Sequence, residues 1–81
     1  MHESFHLLID DLKNDDLAIK VNSIYRIKIV VALQNNQENE ETILPLIKKI
    51  IEKEDDEVLF ALAKELPNIF NIMPKFQKNI I

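Results

Sequence analysis

Five places in this chain set residues at spacings that can do chemistry. His2 and His6 are four apart and would share one face of a helix, the spacing with which metalloproteases hold zinc. The spacing is weak support for a metal there, and a terminal turn frays. Asp10 and Asp11 are adjacent carboxylates, the raw material of acid–base catalysis. Consecutive helix positions point about 100° apart, so the pair would not face each other across a cleft, and a solvated face is the plainer reading. The acidic run Glu54-Asp55-Asp56-Glu57 has the charge for calcium. An EF-hand loop, however, alternates its ligands over about twelve residues with a glycine at the sixth, and neither feature is present. Lys20, Tyr25, Arg26 and Lys28 form a small basic-aromatic patch of the kind a DNA-reading helix presents, although acids surround it. The polar knot Lys13-Asn14-Asp15-Asp16, inside LIDDLKNDDLAIKVNSI, separates two apolar stripes and could be an acidic pair, a metal loop or a corner between helices.

Composition decides among these. The 81-residue chain is one small domain, a size that buries only about 60 to 65% of the surface its unfolded form exposes, so packing against neighbours is expected to matter. It has no cysteine, which removes disulfides, thiol catalysis and cysteine-ligated zinc and fits a reducing compartment. It has no glycine either, which excludes the phosphate-cradling loops of nucleotide-binding enzymes and the tight turns that β-hairpins prefer. A net charge of −4 argues against general nucleic-acid or anionic-membrane binding, since both require a basic surface. Unbroken apolar runs such as residues 29–33 are far too short to span a bilayer, and the first residues lack a signal peptide's basic start. The chain is expected to be intracellular and cytoplasmic, with the nucleus as the alternative, and its partners are expected to be proteins.

Helices are what remain. Phe5, Leu8, Ile9 and Leu12 fall at i, i+3, i+4 and i+7 and predict a helix over residues 3–13. Residues 17–34 are apolar nearly all round, so that helix must be buried on more than one side. The run NNQENEE at 35–41 has no apolar residue and predicts a solvated connection, with Thr42 as N-cap and Pro45 in the first turn of the next helix. Ile43, Leu46, Ile47 and Ile50 repeat the first pattern up to about Lys53. A last helix starts near Asp56 and buries Leu59, Leu62, Leu66 and Ile69. Pro67 predicts a kink or a stop near Leu66, because its ring meets the carbonyl of Ala63.

The chain also matches itself. An offset of 39 places Phe5 on Leu44, Leu8 on Ile47, Leu12 on Ile51, Asp16 on Asp55, Ile19 on Val58, Ile24 on Ala63 and Ile27 on Leu66. Apolar character survives at each core position and the acid survives at the corner. Helix-pair repeats near this length are the HEAT and armadillo classes. The knot therefore reads as a turn inside one repeat, with Asp15 or Asp16 capping the second helix.

With the repeat in view, LIDDLKNDDLAIKVNSI followed by ILPLIKKIIEKEDDEVLFALAKEL resembles the first two HEAT repeats of the scaffolding subunits of protein phosphatase 2A, over residues 5–66. The most specific parts are the acidic corner, the triplet Asn22-Ser23-Ile24 and the run from Glu54 to Leu66. The loop NNQENEE is its own, and Pro67 falls where that family turns with glycine. The resemblance implies an all-α, right-handed α-α superhelix: one repeat over residues 1–34, a second over 35–72, and a linker with the start of a third over 73–81. An array that stops there leaves one apolar end face uncovered, which predicts self-association.

The function implied is a protein-binding scaffold that is not an enzyme and carries no cofactor. In that family the opening repeats receive the regulatory B subunit, and the C-terminal repeats, absent here, hold the catalytic subunit. Contacts come chiefly from the turns within repeats. Their counterparts are Lys13, Asn14, Asp15 and Asp16 in the first repeat and Glu54, Asp55, Asp56 and Glu57 in the second. A HEAT adaptor of an unrelated complex is the alternative, and a metal-binding or DNA-binding helical domain is the reading from another class.

Overall fold

The computed structural model describes residues 3–80. The helices are α1 (Glu3–Leu12), α2 (Leu17–Leu33), α3 (Asn36–Glu38), α4 (Leu44–Lys53), α5 (Asp56–Ile72) and α6 (Pro74–Ile80), with a π-helical turn at Asn39–Ile43 between α3 and α4. No strand occurs among the described residues. The spacing of apolar residues explains the first element: α1 buries Phe5, Leu8 and Leu12, one face at helical period. In α2, Ile24, Ile27, Val30 and Val31 are enclosed, while Ile29 and Leu33 remain exposed.

α1 lies against α2 and α4 against α5, and the two 17-residue helices α2 and α5 pack along each other as the inner layer. α1 and α4 form the outer layer and share a groove floored by Ile9, Leu12, Leu46 and Ile50. This is a HEAT-like, all-α arrangement of two helical hairpins. One continuous core, in which Leu8, Ile24, Ile27, Ile47, Leu62 and Ile69 are fully enclosed, runs through both. The inner helices start at Leu17 and Asp56 and end at Leu33 and Ile72, in both cases 39 positions apart, as the self-match predicts.

Burial does not follow the same offset. Ile24 is enclosed and Ala63 exposed, Leu12 is buried and Ile51 exposed, and Ile19 is exposed where Val58 is enclosed. The cause is geometric: in a stack of two, each hairpin covers the other with opposite flanks, so equivalent positions meet different surroundings.

Residues 35–41 are not the solvated connection predicted above. Asn35 caps α3 by accepting from the amide of Glu38 at 2.8 Å, and the chain then stays helical through to Lys53. Asn39 is 1% exposed. Its Nδ2 donates to the Val31 carbonyl at 2.9 Å, filling one of the acceptors left open at the end of α2. The Gln34 amide nitrogen donates to Asn39 Oδ1 and to Thr42 Oγ1, both at 3.1 Å. Thr42 is therefore no N-cap: its hydroxyl donates backward to the Glu38 carbonyl at 2.6 Å. The π-turn has its own reason. Pro45 has no amide for the carbonyl four residues back, and the helix widens just before it, with the Leu44 amide bonded to the Asn39 carbonyl.

Pro67 does not end α5, which continues to Ile72. Met73, 3% exposed, then leads into α6, which folds back on α5 and encloses Phe76 completely. The segment read as a linker and the start of a third repeat thus packs on the helix before it.

Candidate functional site

The first turn is built by its own side chains. After α1 the amide of Lys13 bonds to the Ile9 carbonyl at 3.2 Å, and Asn14 Oδ1 accepts from the amide of Asp16 at 2.8 Å. Asp16 in turn caps α2, its Oδ1 accepting from the amide of Ala18 at 2.9 Å, as the sequence predicts for Asp15 or Asp16. The second turn follows the same path with fewer bonds. The Glu54 amide closes α4 on the Ile50 carbonyl at 3.0 Å, and Asp55 stands at the N-cap of α5 without a side-chain bond to a free amide. Asp56 and Glu57 sit in the first turn of α5, where the positive end of the helix favours them.

The fold brings the two turns to one edge. Lys20, near the start of α2, donates to Glu54 Oε1 at 3.0 Å, and Leu17 shares a recess with Asp55, Asp56 and Glu57. Lys13 and Glu54 border the same outer groove. Of the eight candidate residues, Asn14 and Asp16 are taken up by the backbone and Glu54 by Lys20. Lys13, Asp15, Asp55, Asp56 and Glu57 are exposed, and among the described residues none of them forms an ion pair. The edge therefore offers a partner four free carboxylates.

The other candidates of the sequence resolve differently. The basic-aromatic patch holds no free cation: Lys20 is paired with Glu54, Arg26 with Asp11, and Lys28 with Glu65 at 3.0 Å. Pairing with Arg26 also separates Asp11 from Asp10, which is exposed. Residues 2–6, His-Glu-Ser-Phe-His, spell the H-E-x-x-H pattern in full, but His2 lies outside the described residues. Among the described residues no group of three or more His, Cys, Asp or Glu is placed to hold a metal ion. No helix among them is long and apolar enough to cross a membrane.

Sequence reasoning missed the ion pairs between elements. Lys20 and Glu54 are 34 residues apart and nothing local links them. Glu65 did carry a signal: with Val58, Leu62 and Ile69 it completes a stripe at helical spacing, so it had to be buried and partnered. Its carboxylate meets Lys28 on one oxygen and the Asn68 amide nitrogen, at 3.1 Å, on the other.

Comparison with known proteins identifies the kinship. The chain is 37% identical over 60 residues, 74% of its length, to the alpha isoform of the 65 kDa regulatory subunit of serine/threonine-protein phosphatase 2A from Arabidopsis thaliana. By sequence, this chain is a relative of the protein phosphatase 2A scaffold subunits. It is also 32% identical over 93% of its length to the 65 kDa regulatory subunit of Drosophila melanogaster, and 33% identical over 83% to the beta isoform of Homo sapiens. It spans 10 to 13% of the length of these relatives. No protein-family model and no solved structure matches it. The relatives are named as regulatory or scaffold subunits of a phosphatase.

Proposed function

We propose that this chain is a non-catalytic scaffold segment whose two acidic turns form the edge on which a phosphatase regulatory B subunit docks. Two hairpins in matching orientation repeat one charge pattern at a fixed spacing, and such a row gives a partner a register to read. The observation that carries the reading is that Asp15, Asp55, Asp56 and Glu57 share one edge without partners of their own, in a chain related to phosphatase scaffolds. Basic side chains or backbone donors of the regulatory protein would meet them.

The test is a binding titration of the chain with a phosphatase regulatory B subunit, beside the variant D15K/D55K/D56K/E57K. Asp16 and Glu54 are left alone because their bonds hold the turns together. Reversal is expected to weaken binding at least roughly tenfold at low salt, since several charge pairs are inverted together. Equal affinity of both proteins removes the proposal. The catalytic subunit serves as the control that should not be retained.

The proposal includes the repeat division at 1–34 and 35–72, with 73–81 opening a third unit, and a place in the cytoplasm or nucleus. It also includes weak self-association through the apolar flank on which Leu7, Ile29 and Leu33 are exposed. Light scattering over a dilution series checks that last point, and a monomer at every concentration overturns it.

A further inference from the structure

The groove between α1 and α4 lies on the outer layer and opposes the turn ridge in charge. Its floor is apolar: Ile50 and Leu12 are buried, and Ile9 and Leu46 are half-buried. Its rim carries Lys13 from the end of α1 with Lys49 and Lys53 from α4. Lys49 and Lys53 are one helical turn apart and so stand on the same side of α4. Among the described residues none of the three lysines has an ion-pair partner. The single acid on the rim, Glu54, is already held by Lys20 at 3.0 Å, which leaves the groove net positive on a chain whose charge is −4.

Lysine stems routinely shield apolar surface while their ammonium groups stay in water, and that alone would account for cations beside a greasy floor. Here the stems do not close it. A cavity of about 100 Å³ remains between the helices, on the scale of the roughly 150 Å³ apolar space that admits benzene. That is room for one branched aliphatic side chain. The cations of α2, Lys20, Arg26 and Lys28, are neutralised within the fold, whereas the three lysines at this groove are not.

We infer that the α1–α4 groove is a second docking surface, for an acidic peptide segment that inserts one leucine-like side chain between Ile9, Leu12, Leu46 and Ile50 and sets flanking carboxylates on Lys13, Lys49 and Lys53. Apolar burial supplies an anchor, and the three ammonium groups select the sign of the partner and its register. The surface adjoins the acidic edge, with Lys13 and Glu54 on their common border, so a scaffold of this kind could hold a basic face of one partner at the four carboxylates and an acidic segment beside them.

The experiment uses the chain with a fluorescein-labelled short peptide that carries a leucine flanked by glutamates, followed by anisotropy and by amide shifts in NMR. Saturable binding at low salt is expected, with shifts centred on Ile9, Leu12, Lys13, Leu46, Lys49 and Lys53. K49E/K53E should weaken it roughly tenfold or more, and K49R/K53R should retain it. Circular dichroism confirms that the variants are folded, and K13E provides an independent reading from the other wall. Absence of saturable binding, equal binding of a peptide with lysine for glutamate, shifts centred elsewhere, or an undiminished affinity of K49E/K53E each overturns the inference. So does binding of phosphatidylserine vesicles in place of the peptide.

Discussion

Lys20 Nζ reaches Glu54 Oε1 at 3.0 Å, tying the start of the first inner helix to the turn of the second hairpin. Both side chains are largely shielded, 23% and 22% exposed, so this pair is better protected from solvent than most surface bridges. It joins the two hairpins beside the two acidic turns, next to the long packed seam of α2 on α5.

A double-mutant cycle on K20Q and E54Q therefore should give a coupling of about 0.5 to 1 kcal/mol in urea unfolding at low salt, and less at 1 M salt. No coupling would mean that apolar packing of α2 on α5 alone sets the register.

The two turns look alike in sequence but not in bonding. Asp16 caps α2 through the amide of Ala18, and Asp55, at the matching position, makes no such bond. D16A is expected to cost about 1 kcal/mol, within the range known for caps, and D55A clearly less. Thermal unfolding of both variants checks the order. Equal losses would show that the charge of these acids at the helix N-terminus, and not the hydrogen bond, is what stabilises each inner helix.

Much of this architecture was legible in the residues. The i, i+3, i+4, i+7 stripes placed α1, α4 and the start of α5 close to their observed bounds, because an amphipathic helix must show its buried face in its own spacing, and the nearly all-round apolar run at 17–34 marked α2, while the end of α5 lies beyond the stop that Pro67 predicted. The corner at residues 13–16 was legible for the same reason, as an interruption between two stripes with a capping acid. The segment 35–43 was not. Asn39 and Thr42 are polar, and polarity in sequence signals solvent, yet here both bond to groups on α2 or on their own turn. A buried amide that satisfies another helix's carbonyl leaves no periodic mark. The free lysines of the outer groove were equally invisible, since whether a lysine is paired depends on which helices become neighbours.

Asn39 offers the sharpest test of that connection. Its amide nitrogen fills the Val31 carbonyl, and its oxygen accepts from Gln34. N39A leaves a buried acceptor and a donor without these partners and should lower stability by about 1 to 3 kcal/mol. Urea unfolding measures it. A change within about 0.5 kcal/mol, as at ordinary surface sites, would mean that water replaces both bonds.

Pro67 lies inside α5, exposed, with no amide to offer the carbonyl of Ala63 four residues back. Proline in a helix interior is about 3 kcal/mol less favourable than alanine. Part of that is offset because proline also restricts the unfolded chain, by about 0.4 to 1 kcal/mol. P67A is therefore expected to stabilise the chain by about 2 kcal/mol, read as a higher urea midpoint with an unchanged slope. The outcome bears on more than propensity, because α6 folds back on the same helix and encloses Phe76 against it. If P67A left the midpoint where it was or lowered it, a bend at Pro67 would be what seats α6, and a second expectation would follow at once: amide exchange in residues 74–80 should then accelerate in P67A while α1 and α2 stay protected.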